Sequence, residues 1–160
     1  MAENQAASNT TETAQPVFGI EKIYIKDMSL EVPNAPEVFL QREAPQIGVE
    51  LSNAAKKLED GLFEVTLTVT VTSKIEDKTV FLVEVAQSGI FQVRNISDES
   101  IEPIIAITCP NILFPYAREA VSDIVTRAGF QPVLLSPINF EALYAQQKEQ
   151  PENAGNATSH

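Results

Sequence analysis

Residues suited to covalent or metal chemistry are scarce in this chain. There is one histidine, His160, and one cysteine, Cys109, so any nucleophile–base pair that needs His or Cys depends on these two residues alone. His160 lies in a polar C-terminal stretch that we expect to be disordered. Zinc sites need clusters of Cys and His, and no CxxC motif is present. The sequence therefore indicates neither thiol nor Ser-His-Asp catalysis, and no metal.

Nucleotide chemistry and carboxylate chemistry are the next classes to weigh. Neither GxGxxG nor GxxxxGK[ST] occurs among the six scattered glycines, so a phosphate cradle is not indicated. The 22 acidic residues could bring two carboxylates together anywhere in a fold, which leaves a carboxylate hydrolase as an open alternative. Most carboxylates are nevertheless solvated surface groups. We expect a protein that is not an enzyme and that uses no cofactor.

The charge balance restricts the partners of the chain. Eleven basic residues against 22 acidic ones give a formal net charge of -11. This charge repels phosphate backbones and anionic lipid surfaces, so we expect no nucleic-acid partner and no membrane insertion. A basic protein partner is favoured instead. The simpler alternative is that the acidity only keeps the protein soluble.

Location is indicated by the N-terminus and by cysteine usage. Residues 1–15 are polar and acidic and carry neither the basic nor the apolar region of a secretory signal. No apolar run approaches the ~18 residues that span a bilayer. A single cysteine cannot form an intrachain disulfide, which fits a reducing compartment, and we expect Cys109 to be a small buried packing residue. The expected location is cytoplasmic.

Alternation of apolar and polar residues with a period of two predicts strands. The strongest case is a half-buried antiparallel strand whose apolar residues are Phe63, Val65, Leu67, Val69 and Val71. A turn at residues 76–78 leads to a second strand from Thr79 to about Ile90, which completes a hairpin. Both faces of this second strand are partly apolar, which suits a subunit contact. A weaker strand is predicted over Gln46 to Leu51.

A further strand, Ile20 to Val32, changes phase along its length. Its apolar residues fall first on odd and then on even numbers: Ile23, Ile25, Met28, Leu30 and Val32. One extra residue near Lys26 and Asp27 would account for the change, so a β-bulge is predicted there. Beyond the bulge, Asp27 and Glu31 share one polar face and lie about 13 Å apart.

A period of three to four residues predicts a helix from about Asn111 to Ala128. Its apolar stripe consists of Leu113, Ala117, Ala120, Val121, Ile124 and Ala128. Pro115 is assigned to the first turn, where proline is tolerated, and Gly129 to the C-terminal cap. A second helix is predicted to begin near Asn139, its N-cap, after the proline-rich link at 131–137.

Strands followed by helices predict an α+β domain, a four-stranded antiparallel sheet with two C-terminal helices packed on one side. The segment between the first two strands, residues 33–45, contains three prolines and is expected to cross the surface in extended form. We expect one domain over residues 16–150. Residues 1–15 and 151–160 are polar and lack apolar periodicity, so disordered tails are predicted there.

Four segments carry a resemblance to a known family. They are IYIKDMSLEVPNAP at 23–36, SGIF at 88–91, CPNILFPYARE at 109–119 and SPINFEALY at 136–144. Together they closely resemble the SecB family of bacterial protein-export chaperones, over roughly residues 18–144. The resemblance implies a SecB-like fold and a chaperone of protein export. Such a protein binds unfolded precursor proteins without ATP, keeps them translocation-competent and delivers them to the SecA translocase motor.

The resemblance also implies a docking site for SecA on the flat face of the sheet. The matching positions here are Asp27, Glu31, Leu82 and Glu84. A compact acidic patch would attract a basic, zinc-stabilised tail of SecA by electrostatic steering and ion pairs, and that zinc belongs to the partner.

The resemblance also implies that client proteins bind in an apolar groove. Its walls would be formed by Val38, Phe39, Phe140, Leu143 and Tyr144. The alternative is that these residues only pack the second helix onto the sheet. The chain departs from better-known relatives, because Glu43 stands where they carry an aromatic residue, and the positions Ala145, Gln146 and Lys148 are less apolar. These departures bear on the specificity of the groove.

SecB proteins assemble as homotetramers, each a dimer of dimers, and the resemblance places Val83, Val85 and Gln87 at positions sensitive to assembly. Strand pairing together with the strand Phe81 to Ile90 would form one interface, and the polar face of the first helix the other, by an isologous contact. From the residues alone, a small-molecule or lipid-binding α+β sheet protein with a closed apolar cavity stays an alternative.

Overall fold

The computed structural model describes residues 14–153. Four strands form one antiparallel sheet: β1 (Val17–Glu31), β2 (Gln46–Glu59), β3 (Leu62–Ile75) and β4 (Lys78–Arg94). Their spatial order is β1-β4-β3-β2, so β1 and β2 are the edge strands. The predicted antiparallel sheet is confirmed. Strand β4 is central and both of its edges are paired within the chain, so intersubunit strand pairing would have to use another strand.

One face of the sheet, which we call the inner face, is covered by helices. Odd-numbered residues of β3 and β4 point to it and are almost completely buried: Val65, Leu67, Val69, Val71, Phe81, Val83, Val85, Phe91 and Val93. The even-numbered threonines of β3 lie on the opposite, outer face and are half-buried. The predicted alternation of this strand is confirmed, and the hairpin turns at Glu76 and Asp77.

The predicted β-bulge in β1 is confirmed. Ile25 pairs with Gln87 and Asp27 with Ala86, so Lys26 is the extra residue. A second register shift, between Ile20 and Lys22, was not predicted from the sequence. Strand β2 continues to Glu59, beyond the predicted end at Leu51, because pairing with β3 supports residues whose own alternation is weak.

The segment between β1 and β2 crosses from one edge of the sheet to the other. It contains a short 3-10 helix, Glu37–Leu40, within the stretch predicted to be extended. The Asn34 side-chain amide donates a 2.9 Å hydrogen bond to the Thr79 carbonyl and thereby attaches the crossover to the start of β4.

The helical region begins 13 residues earlier than predicted. Helix α1 (Asp98–Pro103), a π-helical segment (Ile104–Thr108) and helix α2 (Cys109–Arg127) follow one another without interruption. Helix α2 itself begins at Cys109, two residues before the predicted start near Asn111, but the assignment of Pro115 to the first turn is wrong, since Pro115 lies inside α2. Packing of the apolar residues of 101–107 against the core holds them helical despite the nearby prolines.

The ends of the helices agree with the sequence signals. Gly129 has φ +97°, and the Phe130 N–H bonds to the Val125 carbonyl at 3.2 Å, which closes α2 as predicted. Asn139 caps helix α3 (Phe140–Asn153), because its Oδ1 accepts a 3.0 Å bond from the Ala142 N–H. Helix α3 extends three residues past the predicted domain end at 150. The rest of the predicted tails, 1–13 and 154–160, lies outside the described residues.

Within residues 14–153, no helix is both long and apolar enough to cross a bilayer.

Candidate functional site

The structure brings the four predicted SecA-binding residues together on the outer face. Glu31 lies directly opposite Leu82, and two residues further along, on the same face, Ser29 lies opposite Glu84. Asp27 occupies the next row, opposite Ala86. Residues directly opposite each other in an antiparallel pair share a face, with Cβ atoms about 5 Å apart. We call Asp27, Glu31, Leu82 and Glu84 the outer patch.

Exposure makes the outer patch available for contact. The three carboxylates are exposed and Leu82 is half-buried, so an apolar side chain sits among acidic ones. Thr70 on β3 donates a 3.1 Å hydrogen bond to Glu84 Oε2, which orients that carboxylate. The patch can therefore attract a basic segment by charge and receive an apolar side chain at Leu82.

A polar cluster beside the outer patch was not predicted from the sequence. Lys26, at the bulge, places its Nζ 2.7 Å from Glu64 Oε1 of β3, and the Tyr24 hydroxyl donates to Glu64 Oε2. Beneath them, the hydroxyls of Thr66 and Ser88 are 2.7 Å apart. The cluster links β1 to β3 across the intervening strand β4. The only sequence signal was the predicted bulge, because the pairing with Glu64 depends on strand order.

The cluster shifts the titration of its members. The hydrogen bond from Lys26, and next that from Tyr24, holds the pKa of Glu64 below its ordinary value. Burial, and next the hydrogen bond to Glu64 and its negative charge, raises the pKa of Tyr24 to about 12. Glu64 is therefore ionised and Tyr24 protonated at neutral pH.

An apolar groove runs along the inner side of the edge strand β2, where α2 no longer covers the sheet. Its β2 wall consists of Ile47, Val49 and Leu51, of which the first two are 46% and 44% exposed. Phe114 of α2 and the link at 133–138 line the depression beside Ile47 and Val49. The start of α3 lines a second depression, beside Leu51 further along the same strand. We call this the inner groove. Sequence alternation identified the β2 residues as strand, but their place at an uncovered edge follows from the topology.

Three of the predicted client-binding residues lie together at one end of the inner groove. Phe140, Leu143 and Tyr144 of α3 line a depression of about 270 Å³ together with Leu51 and Ile105. Phe140 is buried against Phe114, with ring centroids 6.0 Å apart, whereas Leu143 is 38% exposed. Phe140 thus anchors α3 and Leu143 is available at the surface. The role of these residues in client binding stays a prediction.

Val38 and Phe39, the other two predicted client-binding residues, lie elsewhere. Val38 belongs to the core, and Phe39 stacks on Phe130 with ring centroids 5.1 Å apart, beyond the C-terminal end of α2. Phe114 lies roughly 20 Å away along the helix axis. The residues predicted to line one client-binding groove therefore lie at two separate places, near the opposite ends of α2. Glu43, one of the departures noted above, lines a separate depression that includes Val38.

Lys148, another departure, lies at the α3 end of the groove. Its ammonium is 4.9 Å from the centre of the Tyr144 ring and 3.9 Å from the Glu102 carboxylate. It therefore adds a positive charge at the surface where an apolar residue was expected from the better-known relatives.

The predicted assembly residues lie in the core of the single chain. Val83 and Val85 are completely buried on the inner face, and buried Gln87 donates a 3.0 Å hydrogen bond from Nε2 to the Tyr24 carbonyl. The helices of the same chain cover this face, so it is not open to direct contact with a second subunit. That these residues influence assembly stays a prediction. Because they are buried, a substitution there could change assembly only by displacing the helices or strands that pack on them.

Comparison with known proteins identifies the family. The family model described as Preprotein translocase subunit SecB matches residues 11–151. The chain is 66% identical to the protein-export protein SecB of Methylobacillus flagellatus over 160 residues, covering 100% of each. It is also 66% identical to that of Chromobacterium violaceum over 143 residues, covering 89% of this chain and 95% of the relative.

A solved structure supports the fold. The SecB-like chaperone of Mycobacterium tuberculosis, in complex with a ChAD peptide from an antitoxin, aligns with a TM-score of 0.64 at 19% identity. The alignment covers 76% of this chain and 90% of that one, so the arrangement of sheet and helices is shared. With the family model spanning nearly the whole chain and relatives at this identity, the chain belongs to the SecB family of protein-export chaperones.

Proposed function

We propose that this chain holds unfolded precursor proteins in the inner groove and passes them to SecA through the outer patch, without ATP, as a cytoplasmic homotetramer. One observation carries the proposal: the apolar groove and the acidic patch lie on opposite faces of the same sheet. A client and the motor can then contact one chain at the same time. The chain can then dock on SecA while the client is still bound, so the client need not be released first.

The inner groove suits an unfolded chain. Its walls offer exposed apolar side chains, and β2 pairs only with β3 within the described residues, so one row of its main-chain groups faces outward. An extended client can bury apolar side chains there and bond to the strand edge. The groove is open and includes the polar residues Asn53, Glu102 and Gln147. An open, partly polar groove favours a peptide as the ligand, whereas a small-molecule or lipid carrier would have a closed apolar cavity.

The outer patch suits a basic partner. Its three exposed carboxylates lie on neighbouring rows of a sheet, so their fields add over a compact area. Exposed charges separated by more than a Debye length are screened by salt, and the steering of a basic segment should weaken accordingly. The basic, zinc-stabilised tail of SecA is the partner that we assign to this surface.

Assembly would place several grooves within reach of one client. Edge strand β1 is 15 residues long and can pair with a second copy, and the polar face of α2, which includes Glu119 and Asp123, can form the second contact. Several weak sites then act together on a long unfolded chain. We assign no enzymatic activity to any of these surfaces.

The client half of the proposal is tested with Val49→Asp. This charge in the groove should reduce the binding of a denatured precursor by about tenfold or more, because an unpaired carboxylate is costly in an apolar contact. Leu58→Asp is the matched control, since Leu58 is 41% exposed on the same strand but does not line the groove. Binding is measured by light scattering of a refolding precursor without nucleotide. Equal binding of the native and denatured client would contradict the proposal.

The docking half is tested with Asp27→Lys combined with Glu31→Lys. Calorimetry should show weaker binding of SecA, with the mass of the assembly and client holding unchanged. The control is Glu59→Lys combined with Asp77→Lys, which makes the same charge change at exposed residues outside the outer patch. Normal SecA binding by the first variant would show that the docking site lies elsewhere.

A further inference from the structure

Glu64 connects the outer patch to the bulge that shapes it. Ile25 and Asp27 pair with consecutive residues of β4, so the bulge brings Lys26 to the same face as its neighbour Asp27. Lys26 is thus a positive charge directly beside the first carboxylate of the patch. Its side chain is 52% exposed, so it has freedom to turn toward solvent or toward Asp27.

The carboxylate of Glu64 draws Lys26 away from the patch. Glu64 lies opposite Ile90, and Asp27 lies opposite Ala86, four residues back along β4. At ~3.3 Å per residue, these two rows are about 13 Å apart. The 2.7 Å contact between Lys26 Nζ and Glu64 Oε1 therefore directs the ammonium toward the row of Glu64 and away from the row of Asp27.

Tyr24 keeps the Glu64 carboxylate in place. Its hydroxyl donates to Oε2, so both oxygens of Glu64 have a partner and the side chain, only 14% exposed, is held over β4. The residue beneath, Ser88, is small, which leaves room for the phenol to reach across the strand. Within the cluster, Glu64 is thus held on both oxygens, whereas the Lys26 side chain is the more exposed member.

We propose that Glu64 is a positioning residue for the docking of a basic partner, because it neutralises Lys26 and holds it away from Asp27. This inference rests on the proposed function of the outer patch. Without Glu64, the Lys26 ammonium is free to pair with Asp27, which removes one carboxylate from the patch and adds a repulsive charge to its rim.

The test compares Glu64→Gln with the double variant Lys26→Gln/Glu64→Gln. The probe is the zinc-loaded basic tail of SecA as a synthetic peptide, measured by calorimetry on the assembled protein. Glu64→Gln should weaken binding by about three- to fivefold, the size expected of one exposed charge pair. The double variant should return to within about twofold of the parent affinity, since no free ammonium remains.

The control is Glu59→Gln, which removes the same charge from an exposed residue that does not contact Lys26 and should leave the affinity unchanged. Circular dichroism checks the folding of each variant. Lys26→Gln alone keeps Glu64 intact and should bind the peptide at least as tightly as the parent. This variant decides the matter if Glu64→Gln unfolds.

Three results would overturn the inference while leaving the docking site in place: normal binding by Glu64→Gln, no recovery in the double variant, or weaker binding by Lys26→Gln. Loss of affinity in Glu59→Gln equal to that in Glu64→Gln would also overturn it, since net charge alone would explain the effect. If Asp27→Lys with Glu31→Lys binds the peptide normally, the proposed docking site and this inference are both wrong.

Discussion

The Asn53 side chain on β2 donates a 3.2 Å hydrogen bond to the main-chain carbonyl of Ile105 in the π-helical segment. The Cys109 N–H bonds to the Ile104 carbonyl, five residues back, so the same register would assign the Ile105 carbonyl to the nitrogen of Pro110. Proline has no N–H to donate. Asn53 therefore supplies the missing donor and joins the edge strand to the helix across the inner groove.

Asn53→Ala is expected to lower the free energy of unfolding by about 0.5–1.5 kcal/mol, because the Ile105 carbonyl loses its donor. Urea unfolding followed by circular dichroism measures the change. Ser52→Ala, at the neighbouring exposed position on β2, is the control and should change stability by less than about 0.5 kcal/mol. Equal stability of both variants would mean that water replaces the Asn53 bond without cost.

Val85→Ala should lower the free energy of unfolding by about 2 kcal/mol, since the side chain is completely buried among core residues. Val49→Ala makes the same chemical change at a residue that is 44% exposed and should cost much less. Chemical denaturation gives both values.

Val85→Asp is expected to unfold the chain rather than only alter its assembly, because it places an unpaired charge in the core. Native mass and circular dichroism are recorded together. A folded dimer would show that Val85 acts on assembly, and an unchanged assembly with normal secondary structure would contradict its place in the core.

Gly89→Ala is expected to destabilise the chain by about 1–3 kcal/mol through overpacking. A Cβ atom at Gly89 would lie 2.7 Å from Phe91 Cε2 and 3.2 Å from Leu113 Cδ2, both of which are fully buried. Gly48→Ala is the matched control, since its nearest neighbour would be the Thr72 carbonyl at 3.9 Å. The melting temperature should fall for Gly89→Ala and stay level or rise for Gly48→Ala. A melting temperature that falls equally in both variants would point to strand propensity instead.

Cys109 should resist thiol reagents in the folded protein. The residue is fully buried, and burial raises its pKa from 9.0 to about 12. Because the folded-state pKa is raised, its contribution to stability is complete below about pH 9 and is lost as the pH rises toward about 12. Labelling with a maleimide at neutral pH should be much faster after denaturation in urea. Rapid labelling of the native protein would show that Cys109 is accessible.

Local patterns of the sequence were enough for several elements of the fold and part of the site. The alternation of β3, the bulge at Lys26, the Asn139 cap and the Gly129 terminus each depend on neighbours within a few residues, and all are confirmed. The bulge also set the face of Asp27 and Glu31. Their grouping with Leu82 and Glu84 came from the family resemblance, since it requires β1 to lie beside β4.

Tertiary structure decided the features that join distant segments. Residues 98–110 are helical although they include Pro103 and Pro110, because burial of their apolar side chains outweighs their local propensity. Asn53, more than 50 residues away in the sequence, supplies a hydrogen-bond donor to this region. The contact between Glu64 and Lys26 depends on strand order, because a single strand, β4, lies between β1 and β3. The exposure of Ile47 and Val49 likewise follows from β2 being an edge. The sequence by itself determined the family and the local elements, whereas strand order and burial, which depend on contacts far apart in the chain, decided which side chains became groove, patch or core.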